Sequence, residues 1–336
     1  MKTEAEFEKF YQSRLQGDLY ELENRRQSLT GKIRIVLLSE VVVFAGICIY
    51  FFLLRPENPD SFLGSGPARF FWIILALVFC IIIFVFSAIW LSKKFRGDFK
   101  EKIIRPILGQ IGNEIVYSPA DKIGISDFRN SGIFKGNITN YAGRDLIESK
   151  IGDVSYRFSW LNVASKKYVS TYYNSKVGMT GSATRTETNR LFEGIFYVAD
   201  FGSLFPTEAI VWSNVLEKYK WGTTGNFLQD SIMGKRIILE DPVFEKGFAV
   251  YGSDEVAIRQ MLTPGLRQWM ADFRAKTDSL LFLSFKGSKM NIAAYMQKQL
   301  FEARIFRKVD DYNFILEYYR YLSLFTGILE EISKRH

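Results

Sequence analysis

Two uninterrupted apolar runs constrain this chain more than any other feature. Ile35 to Leu54 (IVLLSEVVVFAGICIYFFLL) carries a single charge over 20 residues, and Phe70 to Leu91 (FFWIILALVFCIIIFVFSAIWL) carries none over 22. At about 1.5 Å per helical residue, either run crosses a hydrocarbon core of about 30 Å. The short connection between them, residues 55–69, predicts a hairpin of two transmembrane helices rather than two buried globular helices. A cleaved signal peptide fits poorly, because 34 residues rich in charge precede the first run.

The flanking charges predict orientation. Arg25, Arg26, Lys32 and Arg34 lie just before the first run, whereas the connection has only Arg55 and Arg69. After the second run come Lys93, Lys94, Arg96, Lys100, Lys102 and Arg105. The positive-inside rule then places both termini in the cytosol. Residues 93–105, six basic against two acidic, supply half of the net charge of +8, so this cluster reads as a basic collar facing anionic headgroups. Nucleic acid is not an expected partner, since no helix-turn-helix, zinc or RNA-recognition signature accompanies the charge.

Before the first run, Leu15, Leu19, Leu22, Leu29 and Ile33 form an apolar stripe broken by Arg26. The spacing fits a short coiled coil, but a helix packing on the chain's own domain or lying on a bilayer asks less of so short a stripe. Gly31 reads as a hinge. Glu40 stands about 8 Å inside the first run. Either its carboxyl reaches back to the headgroups, or it meets a polar partner in a helix assembly supplied by other subunits.

Beyond the collar, "FKEKIIRPILGQIGN" reads as a helix interrupted at Pro106. The period then falls to two: "DVSYRFSW" is a half-buried strand and "LFEGIFYVADF" a central one. Residues 175–190, rich in Gly, Ser and Thr, read as a long loop. A strand pair covers "KRIILED" and "KGFAVYG", with "PVFE" as the connection. Asp254 and Thr263-Pro264 open two helices, "SLLFLSF" and "MNIAAYM" form a hairpin, and a long amphipathic helix closes the chain. Strands and helices without strict alternation predict an α+β domain over 93–336, attached to the hairpin 35–92 and the N-terminal helix 1–34.

Catalytic chemistry is thinly provided for. The single histidine is His336, and the only cysteines, Cys48 and Cys80, fall within the apolar runs. Neither a histidine triad nor a thiol nucleophile is therefore expected in the soluble part. No cofactor or metal is implied, because "SIMGKR" lacks the first glycine and the Ser or Thr of a phosphate loop, and "GSGPAR" at 64–69 reads as a turn. Glu240 with Asp241, Asp254 with Glu255, and Asp310 with Asp311 are read as caps and solvated ends.

The stretches "LFEGIFYVADFGSLFPTEAIVW" (191–212) and "RIILEDPVFEKGFAVYGSDEVAIRQMLTPGLRQWM" (236–270) resemble a bacterial family known as domain of unknown function 3137. The resemblance extends to the charged N-terminal helix and the two spans. It implies a bacterial inner-membrane protein and brings no catalytic residues with it. Phe192, Gly194, Phe196, Phe244, Phe248 and Tyr251 of its motifs read as core and turn positions.

The expected function is that of a non-enzymatic, cytosol-facing membrane protein that self-associates or docks a protein partner. A surface module for anionic lipid is the alternative, and an enzyme built on carboxylates, Lys and Tyr is the third reading.

Overall fold

The computed structural model describes residues 4–54, 66–112, 114–134, 136–174, 180–214, 235–296 and 300–333. They divide into two compact units, each treated separately below. The fold is an α+β domain joined to a helical hairpin.

The hairpin unit comprises Lys2–Ile107 together with Glu302–Glu317. Its N-terminal helix α1 (Glu4–Phe10) passes through a π-helical turn, Tyr11–Leu15, into α2 (Gln16–Ile49), and α3 (Gly66–Phe99) packs against α2. The two helices are long and apolar enough to cross a membrane. Large apolar side chains from Ile35 to Leu53 and from Phe70 to Trp90 are exposed on their flanks.

Three expectations fail here for backbone reasons. Gly31 is not a hinge, because α2 runs through it as regular helix. Pro106 does not interrupt the helix after the collar. A π-helical turn, Lys100–Ile104, precedes α4 (Arg105–Ile111), and the Arg105 N–H donates to the Lys100 carbonyl five residues back. Such a widened turn makes room for a ring that would otherwise collide with the carbonyl four residues before it. The turn expected at 64–69 is likewise replaced, from Gly66 onward, by the start of α3, where a proline in the first turn loses no helical hydrogen bond.

The sheet unit comprises Leu108–Phe301 and Tyr318–His336. Among the described residues its strands are β1 (Val116–Ser118), β2 (Ile138–Ile151), β3 (Val154–Asn174), β4 (Thr180–Asp200), β5 (Ala209–Ser213), β6 (Lys235–Ile237), β7 (Phe248–Gly252), β8 (Leu280–Lys286) and β9 (Lys289–Tyr295). They form one antiparallel sheet in the order β1-β2-β3-β4-β9-β8-β5-β7-β6. Alternation along the strands sends side chains to two cores. On one face Leu161, Val163, Phe192, Phe196 and Val198 pack on Phe128 of α5 (Ile125–Asn130). On the other, Phe158 stacks on Phe325, which also meets Phe273.

Phe273 belongs to α8 (Pro264–Thr277) and Phe325 to α9 (Tyr312–Ser333). The helix starts match expectation, since Asp254 caps α7 (Glu255–Met261) by accepting from the Ala257 N–H and Thr263 caps α8 by accepting from the Leu266 N–H. The connection between the paired strands β6 and β7 differs. It is a helix, α6 (Pro242–Gly247), because Asp241 accepts from the Phe244 N–H while Glu245 reaches back to the Leu239 and Glu240 N–H groups. Two of the acidic pairs thus supply helix caps.

The loop expected over 175–190 is also corrected. Residues 180–190 belong to β4, which pairs with β3 as far as Asn174↔Thr180, and residues 175–179 lie outside the described part. Thr-rich polar sequence is a strand former when a long partner is beside it.

Gly194 shows how tightly the centre is built. Its φ is +155°, and an added Cβ would collide with the Ala294 carbonyl oxygen of neighbouring β9. Gly194→Ala is expected to destabilise the protein by more than about 3 kcal/mol, read as a lowered thermal unfolding midpoint of the detergent-solubilised chain.

Candidate functional site

The polar residues of the hairpin unit converge on a segment that joins it from far along the chain. Glu302–Glu317, called here the strap, leads into α9 and belongs to the same unit as the first turns of α2. Glu23 and Arg26, three residues apart and therefore on one helix face, form a buried bidentate pair, with Nε to Oε2 at 2.8 Å and Nη2 to Oε1 at 2.7 Å. Arg26 Nη1 also donates to the Ile305 carbonyl at 3.0 Å, and the Val309 N–H donates to Glu23 at 3.2 Å. Higher up, the Tyr11 hydroxyl donates to the Asp310 carbonyl at 3.3 Å and its ring meets Tyr312 edge-on. Phe99 stacks on Phe314, and the Arg304 guanidinium lies 3.8 Å from the same Phe314 ring centre.

The stripe leucines Leu15, Leu19, Leu22 and Leu29, with Ile33, are buried in this unit. Arg26 breaks the stripe because it completes the pair with Glu23.

The basic collar is divided. Arg96 pairs with Glu302 at 2.8 Å, and the buried Lys100 reaches the same carboxylate at 3.5 Å. Lys102 bonds Glu21, and Arg105 pairs with Glu101 one turn away. Lys93 and Lys94 are exposed, and neither enters an ion pair among the described residues. The internal partners register in the carboxylates. The hydrogen bond from Lys102 holds Glu21 below the usual range, as Arg105 does for Glu101.

Glu40 on α2 lies near enough to the Cys80 thiol on α3 to interact with it electrostatically.

Two features of the sheet unit complete the inventory. β2 covers β3 only as far as Ser165, and β9 reaches along β4 only to Gly194. Residues 166–174 and 180–188 therefore pair with each other alone among the described strands. They form a two-stranded arm of about 30 Å with both outer backbone edges open. Separately, an open groove of about 790 Å³ crosses β1 to β4 and is lined by Glu114, Glu148, Lys150, Arg157 and Asp200 among others. It holds none of the three acidic pairs singled out in the sequence. Asp310 and Asp311 instead serve the strap, the first through its carbonyl and the second by accepting from the Asn313 N–H. No cluster of three or more metal-ligating side chains occurs among the described residues.

The strap was not anticipated. Its signal in the sequence was the interruption of an apolar stripe by an arginine with a glutamate one turn before it, a pattern that requires a buried partner.

The hydrogen bond from Arg26 is the chief reason that Glu23 has a pKa lowered to about 2, with Gln27 and the Val309 N–H helping. A carboxylate depressed in the folded state contributes stability that is present above its unfolded value near 4.5 and is lost as pH falls toward 2. Glu23→Gln is expected to cost about 3 kcal/mol near neutral pH, because Arg26 is left buried without a counter-charge. In thermal unfolding followed against pH, the gap between wild type and variant should narrow below about pH 4.5.

Comparison with known proteins gives one match. Residues 190–334 fit a family model described as Protein of unknown function (DUF3137), and this interval contains both quoted motifs. No curated protein and no solved structure matches the chain. The buried Phe192, Phe196, Phe244, Phe248 and Tyr251, with the constrained Gly194, make these motifs a core-building signature. Over residues 190–334 the chain is thus similar to the DUF3137 family of proteins of unknown function.

Proposed function

We propose that this chain is a non-enzymatic protein of the bacterial inner membrane. Its hairpin crosses the bilayer with both termini in the cytosol, and its α+β domain docks a protein or a second copy of itself. The observation that carries the docking role is the β3–β4 arm. Main-chain N–H and C=O groups along its open edges are a template for strand addition, in which backbone hydrogen bonds supply affinity. The exposed apolar flanks of α2 and α3 support the membrane reading, since surfaces of that extent need an apolar surrounding.

The collar supports lipid sensing less well than the sequence implied. Four of its six cations are engaged by Glu302, Glu21 and Glu101. The open groove on β1 to β4 contains none of the acidic pairs singled out in the sequence, which gives an enzymatic role less support.

Orientation is testable in sealed vesicles carrying the full-length protein tagged at both ends. Protease should remove both tags from inside-out vesicles and spare both in right-side-out ones. Docking is testable by light scattering of the gently solubilised chain, with mass spectrometry of whatever co-purifies. The expected result is an oligomer or stoichiometric complex that dissociates when residues 167–187 are replaced by a short Gly-Ser turn, with little change in thermal stability. A monomer without a partner, or an assembly indifferent to the replacement, would defeat the docking role.

A further inference from the structure

The strap's contacts fix its level along the hairpin. Glu302 meets Arg96 and Lys100, the Ile305 carbonyl meets Arg26, the Val309 N–H meets Glu23 and the Asp310 carbonyl meets Tyr11. Traced along α2, the strap therefore comes nearest the apolar segment at Ile305 and recedes from it beyond Val309. Arg26 lies nine residues before Ile35, about 13 Å along the helix, and Arg96 lies five residues after Leu91, about 7 Å. The polar layer on each side of a bilayer core is about 5–8 Å thick. Glu302 thus falls at the level of the headgroup layer as measured from α3, and Ile305 lies about 13 Å from the apolar segment as measured from α2.

What the strap presents at that level differs from the rest of the unit. Phe306 is 77% exposed, and Arg307 and Lys308 beside it are exposed as well. Neither cation enters an ion pair among the described residues, and the same holds for Lys93 and Lys94 at the start of the collar. The cations farther along α3 are matched with carboxylates. Uncompensated positive charge thus gathers toward the membrane-facing end, next to an aromatic ring with no cover. Lys32 and Arg34 on α2 are also exposed there, and Lys9 on α1 is an exception to this placement. Aromatic rings and lysine or arginine side chains share the interfacial layer because it is apolar on one side and anionic on the other.

We propose that Phe306, Arg307 and Lys308, with Lys93 and Lys94, form a docking surface for anionic lipid headgroups, with the Phe306 ring entering the interfacial layer. This inference rests on the hairpin crossing a bilayer. In it, the strap is the part of the chain that reads lipid charge, while most of the collar holds the strap in place.

The test uses the full-length protein with a photo-crosslinking benzophenone amino acid at Phe306, Val43 or Tyr20. Each is reconstituted in phosphatidylcholine vesicles with and without phosphatidylglycerol, and lipid adducts are identified by mass spectrometry. Val43 is exposed within the apolar segment, and Tyr20 is exposed on α2 about 22 Å before Ile35. Adducts are expected at Val43 and Phe306 and not at Tyr20. At Phe306 phosphatidylglycerol should be captured several-fold over its share of the mixture, and Arg307→Glu with Lys308→Glu should abolish that preference. Adducts at Val43 with none at Phe306, protein adducts at Phe306, or capture there that ignores lipid charge would overturn the proposal alone. An absence of lipid adducts at Val43 would overturn the bilayer crossing and the strap surface together.

Discussion

A charge removed from water must be answered by a partner, and in the hairpin unit that requirement falls on Glu23 and Arg26. Each end of the pair has a remaining valence, an Arg26 N–H on one side and a carboxylate oxygen on the other. The Ile305 carbonyl and the Val309 N–H fill them. Apolar burial of Leu15, Leu19 and Leu22 supplies contact without direction, whereas the pair specifies which segment lies on the helix and at what level. The pairing of Glu302 with Arg96 and Lys100, the edge-on meeting of Tyr11 with Tyr312 and the stacking of Phe99 on Phe314 all follow from that register.

The sheet unit is governed by a different constraint. Its two faces are both covered, so each strand is fixed by alternation and a slip of one residue would exchange the cores. Gly194 pins the centre by admitting the β9 backbone at a distance no side chain tolerates. Past Ser165 and Gly194 that constraint ends, and β3 and β4 continue as a pair without a covered face described on either side.

Much of this was legible in the sequence. The apolar runs, the strands over 154–160 and 191–200, the caps at Asp254 and Thr263 and the terminal helix are local signals, and local signals survive folding. The failures have two causes, partners that pattern along the chain does not reveal and local backbone geometry that composition does not reveal. Residues 180–190 read as loop until the length of β3 is known, and a proline reads as a break until a π-turn precedes it. Of the collar residues, Arg96, Lys100, Lys102 and Arg105 looked alike with Lys93 and Lys94. Glu302, some 200 positions away, marks out Arg96 and Lys100, and Glu21 and Glu101 mark out Lys102 and Arg105. The tie between Glu40 and Cys80 was likewise hidden until α2 and α3 were placed side by side.

The distance between the two halves of the clamp also sets an order of events. Glu23 must wait for an amide made 286 residues later. At a synthesis rate of about 5–20 residues per second, the acceptor is present for roughly 15–60 s before its donor exists. During that interval the hairpin and the early strands are already made, yet the first helix lacks the segment that closes over it. Closure of the unit is thus an event that must follow synthesis of every strand of the sheet, and a product stopped before the strap would carry an uncovered ion pair on α2.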